Sequence, residues 1–324
     1  MKKTTRALAL FAVAAAALPA YAIDMNANME FDNLIENQKR GISQGGRVEF
    51  NVSGKGGPGY FVAGRASFLA KKDGNAGIDD MWVQGGNATA DVKLGRFEGA
   101  DLFPLPRDAY VPYAGAAPYR TNVLRGRFGN QDTSTPNGTV NRGVFHAAGT
   151  LNVGGGVSVE LGIVEAQKST NSAKGFRPVV SYAAGPLTLR AAAEAIKFPG
   201  TVGAGNTYTA GRSETGFGFT GAYDIGGIKP ILNFAAGKDA AGNKTNTVGV
   251  VVDTAFGATV GYIQGVTKLP GADFKVSTAY GAYTLGLFGI QGASMTLAVA
   301  VSSGSGSNTA PDEKGGKVRI NYTF

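Results

Sequence analysis

The sequence predicts an all-β fold, a closed antiparallel transmembrane β-barrel of about sixteen strands. Three observations predict it. Apolar residues alternate with polar or small ones at every second position along most of the chain, in segments near ten residues cut by Gly, Asn, Asp and Pro clusters. Segments of that length match a tilted bilayer crossing of about 9–11 residues rather than the soluble mode of about 5–6. The segments number sixteen, an even count, and tight turns alternate with longer polar loops between them. A sheet in hydrocarbon has to close, because an open edge leaves backbone N–H and C=O groups unpaired. Sixteen strands make a ring too wide for side chains to fill, so the interior holds water.

Composition narrows the alternatives. The 324 residues include 50 Gly without a G-X-Y period, which removes collagen, and 43% hydrophobic residues, which removes simple disorder. The absence of Cys excludes a disulfide scaffold, thiolate zinc sites, iron–sulfur clusters and a Cys nucleophile. A single His leaves little for a His-rich metal site, and a mean hydropathy of −0.03 argues against a bundle of membrane helices. No cofactor, metal ligand set or catalytic residue suggests itself.

The chain opens with Lys2, Lys3 and Arg6, then an unbroken apolar run from Ala7 to Leu18, then Pro19 and the A-x-A site Ala20-Tyr21-Ala22. This is a secretory signal peptide over 1–22. Its apolar run is shorter than the roughly 20 residues a spanning helix needs. A single barrel domain, 23–324, follows. The leader carries three of the 31 basic residues and no acid, so 28 basic against 23 acidic residues remain, a surplus of +5. That surplus is too small and dispersed for nucleic acid. A secreted chain without Cys points to the bacterial periplasm or outer membrane.

Strands are expected near 24–35, 45–54, 59–71, 78–86, 90–97, 142–153, 157–167, 175–184, 187–198, 213–225, 228–238, 245–255, 258–268, 273–286, 293–303 and 314–324. Val48, Phe50 and Val52 alternate with Arg47, Glu49 and Asn51; Val157, Val159, Leu161 and Ile163 with Ser158, Glu160 and Gly162; Met295, Leu297, Val299 and Val301 with Thr296, Ala298 and Ala300. The non-apolar phase is rich in Ser, Thr, Gly, Asn and Ala, which suits a wet, roomy interior. Gly154-Gly155-Gly156, Gly185-Pro186, Gly226-Gly227 and Phe256-Gly257 read as tight turns on one rim. The loops 168–174, 199–212, 239–244 and 304–313 read as the other rim. No helix follows the glycines at 154–156, so they are not a phosphate cradle. His146 falls on the polar phase of its strand without a nucleophile motif, and reads as a pore or rim residue.

The last strand, Lys317-Val318-Arg319-Ile320-Asn321-Tyr322-Thr323-Phe324, puts Tyr322 and the terminal Phe324 on its apolar phase. The hairpin Asp80-Met81-Trp82-Val83-Gln84 … Val92-Lys93-Leu94-Gly95-Arg96-Phe97 precedes a long interruption. With this layout the chain resembles the Gram-negative outer-membrane porins of the trimeric general-porin kind. The resemblance implies a homotrimer in the lipid bilayer of the cell outer membrane, a long third loop folded into the lumen, and passive diffusion of small hydrophilic solutes or ions. It implies a terminal Phe324 that serves assembly. The loop lacks a P-E-F-G-G-like tip; its Leu102-Phe103-Pro104 is similar instead to some sugar-uptake porins, which makes a sugar-selective porin the alternative. A barrel enzyme or a structural surface protein fits less well, since neither a Ser/His pair nor a passenger domain is evident.

Residues 98–141 form the long interruption. Stretches this long without strand period are usually functional or disordered, and the aromatics and four prolines before Arg120 speak for packing. Selectivity in a pore follows charged rings and lining groups. The candidate constriction sets Glu98, Asp101 and Asp108 against lumen-phase arginines Arg47, Arg65, Arg190 and Arg319. Arg107, Arg120, Arg125 and Arg127 add positive charge on the loop, and together the arginines predict a weak anion preference. Arg96 shares parity with apolar Val92 and Leu94, so its strand end is expected to twist or bulge. Tyr110, Tyr113 and Tyr119 would offer stacking faces to sugar rings. The apolar phase of Val48, Phe50, Val52, Tyr60 and Val62 is the expected subunit contact.

Overall fold

The computed structural model describes residues 23–37, 41–57, 59–70, 76–107, 144–167, 172–198, 212–239, 241–307 and 310–324. The leader 1–22 lies outside them, as do Asp108, Tyr110, Tyr113, Tyr119, Arg120, Arg125 and Arg127 of the long loop. Sixteen strands run in order: β1 (Ile23–Glu36), β2 (Gly41–Lys55), β3 (Phe61–Ala70), β4 (Ala76–Gly86), β5 (Ala90–Arg96), β6 (Val144–Gly154), β7 (Val157–Gln167), β8 (Ser172–Ala184), β9 (Leu187–Phe198), β10 (Arg212–Tyr223), β11 (Ile228–Lys238), β12 (Lys244–Thr254), β13 (Ala258–Leu269), β14 (Ala272–Gly286), β15 (Ala293–Gly306) and β16 (Glu313–Thr323). Each pairs antiparallel with its sequence neighbours, and β1 pairs with β16, so the sheet is a closed barrel.

The period-two pattern explains the wall. Met29 and Phe31 on β1, Phe50 and Val52 on β2, Leu161 and Ile163 on β7, Val248 and Val250 on β12, and Leu297 and Val299 on β15 are all exposed on the outer face. Their sequence neighbours point inward. An apolar band exposed all the way round a closed sheet is costly in water and suited to hydrocarbon. Both strand ends near the termini share one rim: Ala27 and Phe324 exchange N–H···O bonds of 2.8 and 3.0 Å.

Two expectations need correction. β2 begins at Gly41, not 45, because Gly41–Gly46 takes its pairing from Phe31–Glu36 of β1 although it carries no alternation of its own. β15 likewise continues to Gly306, where Gly304–Gly306 pair with Phe274–Val276. A polar strand end is held by its neighbour's ladder, and the hydrophobic pattern fades once the strand leaves the apolar band. The rims are also less uniform than alternating short and long connectors suggest. On the long-loop rim, β13 and β14 are joined by residues 270–271 alone, with Gly271 at φ +92. On the opposite rim, β14 and β15 are joined by 287–292.

One irregularity matters for the interior. Ala66 pairs with Met81 and Phe68 with Ile78, so Ser67 of β3 faces two residues of β4, Asp79 and Asp80. A bulge of this kind puts consecutive side chains on one face. Both aspartates are buried on the inside, while Ile78 and Met81 remain exposed on the outside.

Candidate pore lining

The inner wall divides into two regions of opposite character. The first spans β16, β1, β2, β3 and β4 and is an ionic network. Arg319 on β16 grips Asp32 on β1 with two bonds of 2.6 Å, and its Nη1 lies 3.4 Å from Glu30. Arg47 on β2 donates to Glu30 at 2.7 Å and lies 3.2 Å from Glu49 and 3.4 Å from Asp79. Arg65 on β3 reaches Glu49 at 3.4 Å and Asp80 at 3.7 Å. The register places Glu30 opposite Arg47, and Asp32 opposite Arg319, so the network follows directly from strand pairing. Ser67 Oγ lies 3.4 Å from Asp79 and accepts the backbone N–H of Asp80 at 2.8 Å, which fastens the bulge. Trp82, the chain's one tryptophan, faces inward beside it. Arg65 stands 5.7 Å from its ring centre and Lys93 stands 4.5 Å away.

The second region, on β8 to β14, carries small and apolar side chains among buried Asn233, Thr247, Thr259 and Thr278: Val179, Ala192, Ala222, Ile231, Ala235, Val251, Ile263 and Ala282 are buried there. The start of the long loop lies against it. Leu102 packs with Val179 and Ala192, and Phe103, at 0% exposure, with Ala222, Ile231, Ala235 and Val251. Glycine is required at two inward positions beneath them. A Cβ on Gly249 would stand 2.5 Å from Phe103 Cζ, and one on Gly218 would collide with the Leu102 side chain.

Polar contacts fix the same segment. Arg177 (β8), 1% exposed, donates to Glu194 (β9), 2% exposed, at 2.5 and 3.0 Å, and to the Ala100 carbonyl at 2.9 Å. Asn233 donates to the Pro104 carbonyl at 2.9 Å. Arg107, whose φ of 56° is left-handed, pairs with Asp253 at 2.6 Å and also bonds the Thr254 carbonyl. A buried ion pair is stable only when its remaining hydrogen-bonding capacity is met; here the loop backbone meets part of it. Phe97 stacks on His146 with ring centres 3.8 Å apart, so that histidine is buried under the loop's first residue rather than lining open water.

The expected site residues are therefore distributed as follows. Arg47, Arg65 and Arg319 share one wall, whereas Arg190 lies on β9, half the ring away. Glu98 is exposed, while Asp101 accepts the Phe103 N–H at 3.0 Å and shapes the local turn. Arg107 is bound to the wall of β12. Arg96 registers opposite outward Met81, beyond Gly95 at φ +124, and its Nε donates to the Asp79 carbonyl at 2.7 Å. The sequence reading did not single out Glu30, Asp32, Glu49, Asp79 or Asp80, the carboxylates that actually engage the wall arginines. It also missed the Arg177–Glu194 pair. Phe324 stacks on Tyr322 at 5.4 Å on the outer face, at the tight-turn rim.

No protein-family model and no curated protein sequence matches the chain. Its likeness to solved structures is one of fold. An outer-membrane OmpT of Vibrio cholerae in its trimer form is similar with a TM-score of 0.60 and 13% identity, over 94% of this chain and 100% of that one. OmpF of Salmonella typhi gives 0.66 and 13%, over 94% and 98%. The anion-selective porin of Comamonas acidovorans gives 0.64 and 14%, over 94% and 99%. The sixteen-strand architecture is thus that of the Gram-negative outer-membrane porins, at sequence identities that carry the fold alone.

Proposed function

We propose that this chain, after removal of its 1–22 leader, is an outer-membrane channel for passive diffusion of small hydrophilic solutes. The observation that carries this is a closed sixteen-strand barrel, apolar outside and lined inside by ionic side chains on one wall. The exposed Phe50 and Val52 on β2, Tyr60 before β3 and Val62 on β3 are the proposed contact face of a homotrimer; the trimeric form of the Vibrio OmpT supports that assembly.

Selectivity follows from the charge ledger of the lumen. Three wall arginines meet five carboxylates, so Arg47, Arg65 and Arg319 are already neutralised. Anion preference then rests on Arg120, Arg125 and Arg127 of the loop. The surplus of wall carboxylates supports a second reading, weak cation preference. Reversal potentials in a salt gradient across a planar bilayer separate the two. With anion preference, replacing the three loop arginines together by Ala moves the potential toward cations, and the shift shrinks in 1 M salt, where the Debye length is about 3 Å. An unchanged potential at low salt removes those arginines from the constriction. Sugar selectivity would appear as block by maltose-sized sugars in the same recording. Absence of any conductance steps would refute the channel itself.

A further inference from the structure

A recess of about 450 Å³ opens between the loop segment Pro104–Pro106 and the inner wall of β7 to β11, toward the tight-turn rim. Its lining joins two kinds of surface. Leu105, Ala222 and Ile231, with the flanking prolines, form an apolar side. Arg190, Lys229 and the hydroxyl-bearing Ser181 and Thr220 form the polar side. Among the described residues the lining contains two cations and no carboxylate. Glu160, the next inward position after Ser158 on β7, is not part of it.

The cations are available. Arg190 makes one weak contact, Nε–H to Ser181 Oγ at 3.3 Å, and no ion pair among the described residues. Lys229 is in register with Asp253, but that carboxylate is gripped by Arg107 at 2.6 Å. The group Arg107, Asp253, Lys229 and Arg190 therefore carries a surplus of two positive charges.

We propose that this recess binds small organic carboxylates on their way through the lumen. Arg190 and Lys229 supply the countercharge, Ser181 a hydroxyl, and Leu105 and Ile231 the surface for the carbon body. An inorganic anion would leave the apolar side unused, and a neutral apolar solute would leave two cations uncompensated. The proposal deepens the channel reading and rests on it for the route by which the solute arrives.

The test uses the full barrel in detergent, titrated calorimetrically with benzoate and with benzamide, its neutral isostere. The same preparations are then recorded in planar bilayers. Benzoate should bind saturably, with benzamide weaker by roughly tenfold or more. Arg190→Gln with Lys229→Gln should weaken benzoate by roughly tenfold or more, and each single change by several-fold, while leaving benzamide unaffected. Equal binding of the two probes, or benzoate binding unchanged in the single and double variants, overturns the proposal. Conductance steps without benzoate binding overturn the recess alone. Charge-dependent binding without conductance overturns the channel reading and leaves the recess standing.

Discussion

Removing the ring of Phe103 should detach the start of the long loop from the wall. The ring is completely buried, over a position that only glycine can occupy, and it joins side chains from three successive strands, β10 to β12. Truncating a fully buried Phe costs about 3–5 kcal/mol. The barrel ladder is untouched by Phe103→Ala, so the loss falls on local attachment of residues 98–107 rather than on the global fold. At about 1.4 kcal/mol per factor of ten, the detached form becomes roughly a hundred to a few thousand times more populated. Limited trypsin digestion reads this directly. Cleavage after Arg107 requires release of its pair with Asp253, and tracks the open population when opening is fast relative to cleavage. Mass spectrometry should show cleavage there accelerated by at least about two powers of ten in Phe103→Ala. Phe68→Ala, which trims an exposed outer-face ring, should leave it unchanged. Cleavage rates within about threefold of each other for the two variants would mean that the segment is held by something other than Phe103.

Two further perturbations follow from the same geometry. Glu194→Gln leaves the buried Arg177 charge uncompensated and should loosen the loop by about 3–5 kcal/mol in the same digestion assay, whereas Arg177→Leu with Glu194→Leu should cost less than either charge removed alone. Deleting Phe324 removes the two backbone bonds to Ala27, each worth about 1 kcal/mol, and its stacking on Tyr322. The deletion should lower the amount of folded barrel recovered from the membrane fraction; recovery equal to wild type would deny the terminal residue an assembly role.

The strands were legible because alternation is a local property: each segment announces its inner and outer face without reference to its partners. What was not legible depended on partners. Alternation admits only one of two adjacent residues to the lumen, so Asp79 and Asp80 together could be found only from the one-against-two pairing with Ser67. Glu30, Asp32 and Glu49 sat on the polar phase, but the register that sets Glu30 against Arg47 across the β1–β2 pair, and Asp32 against Arg319 across the β1–β16 junction, is a property of two strands and not of either alone. The small inward residues suggested a roomy interior. Several, Ala192, Gly218 and Gly249 above all, are small because Leu102 and Phe103 fill the space over them. A signal was present, since such residues gather on successive strands, β9 to β12, rather than around the whole ring.

The junction of β1 with β16 sets a problem of another kind. Every other strand pair is joined by its own connector, whereas Asp32 and Arg319 meet across 287 positions of chain. The entropy of closing so long a loop grows only logarithmically with its length, yet until it closes the sheet keeps two bare edges. Those edges are complementary to each other and therefore also to the edges of a second copy, with the same aspartate–arginine grip available. Ring closure is thus a contest between the two ends of one molecule and the ends of its neighbours, decided by effective concentration. Dilution favours the ring, and crowding of unclosed sheets favours open head-to-tail chains. The yield of barrels on refolding should fall as protein concentration rises, with ladders of strand-exchanged multiples taking their place.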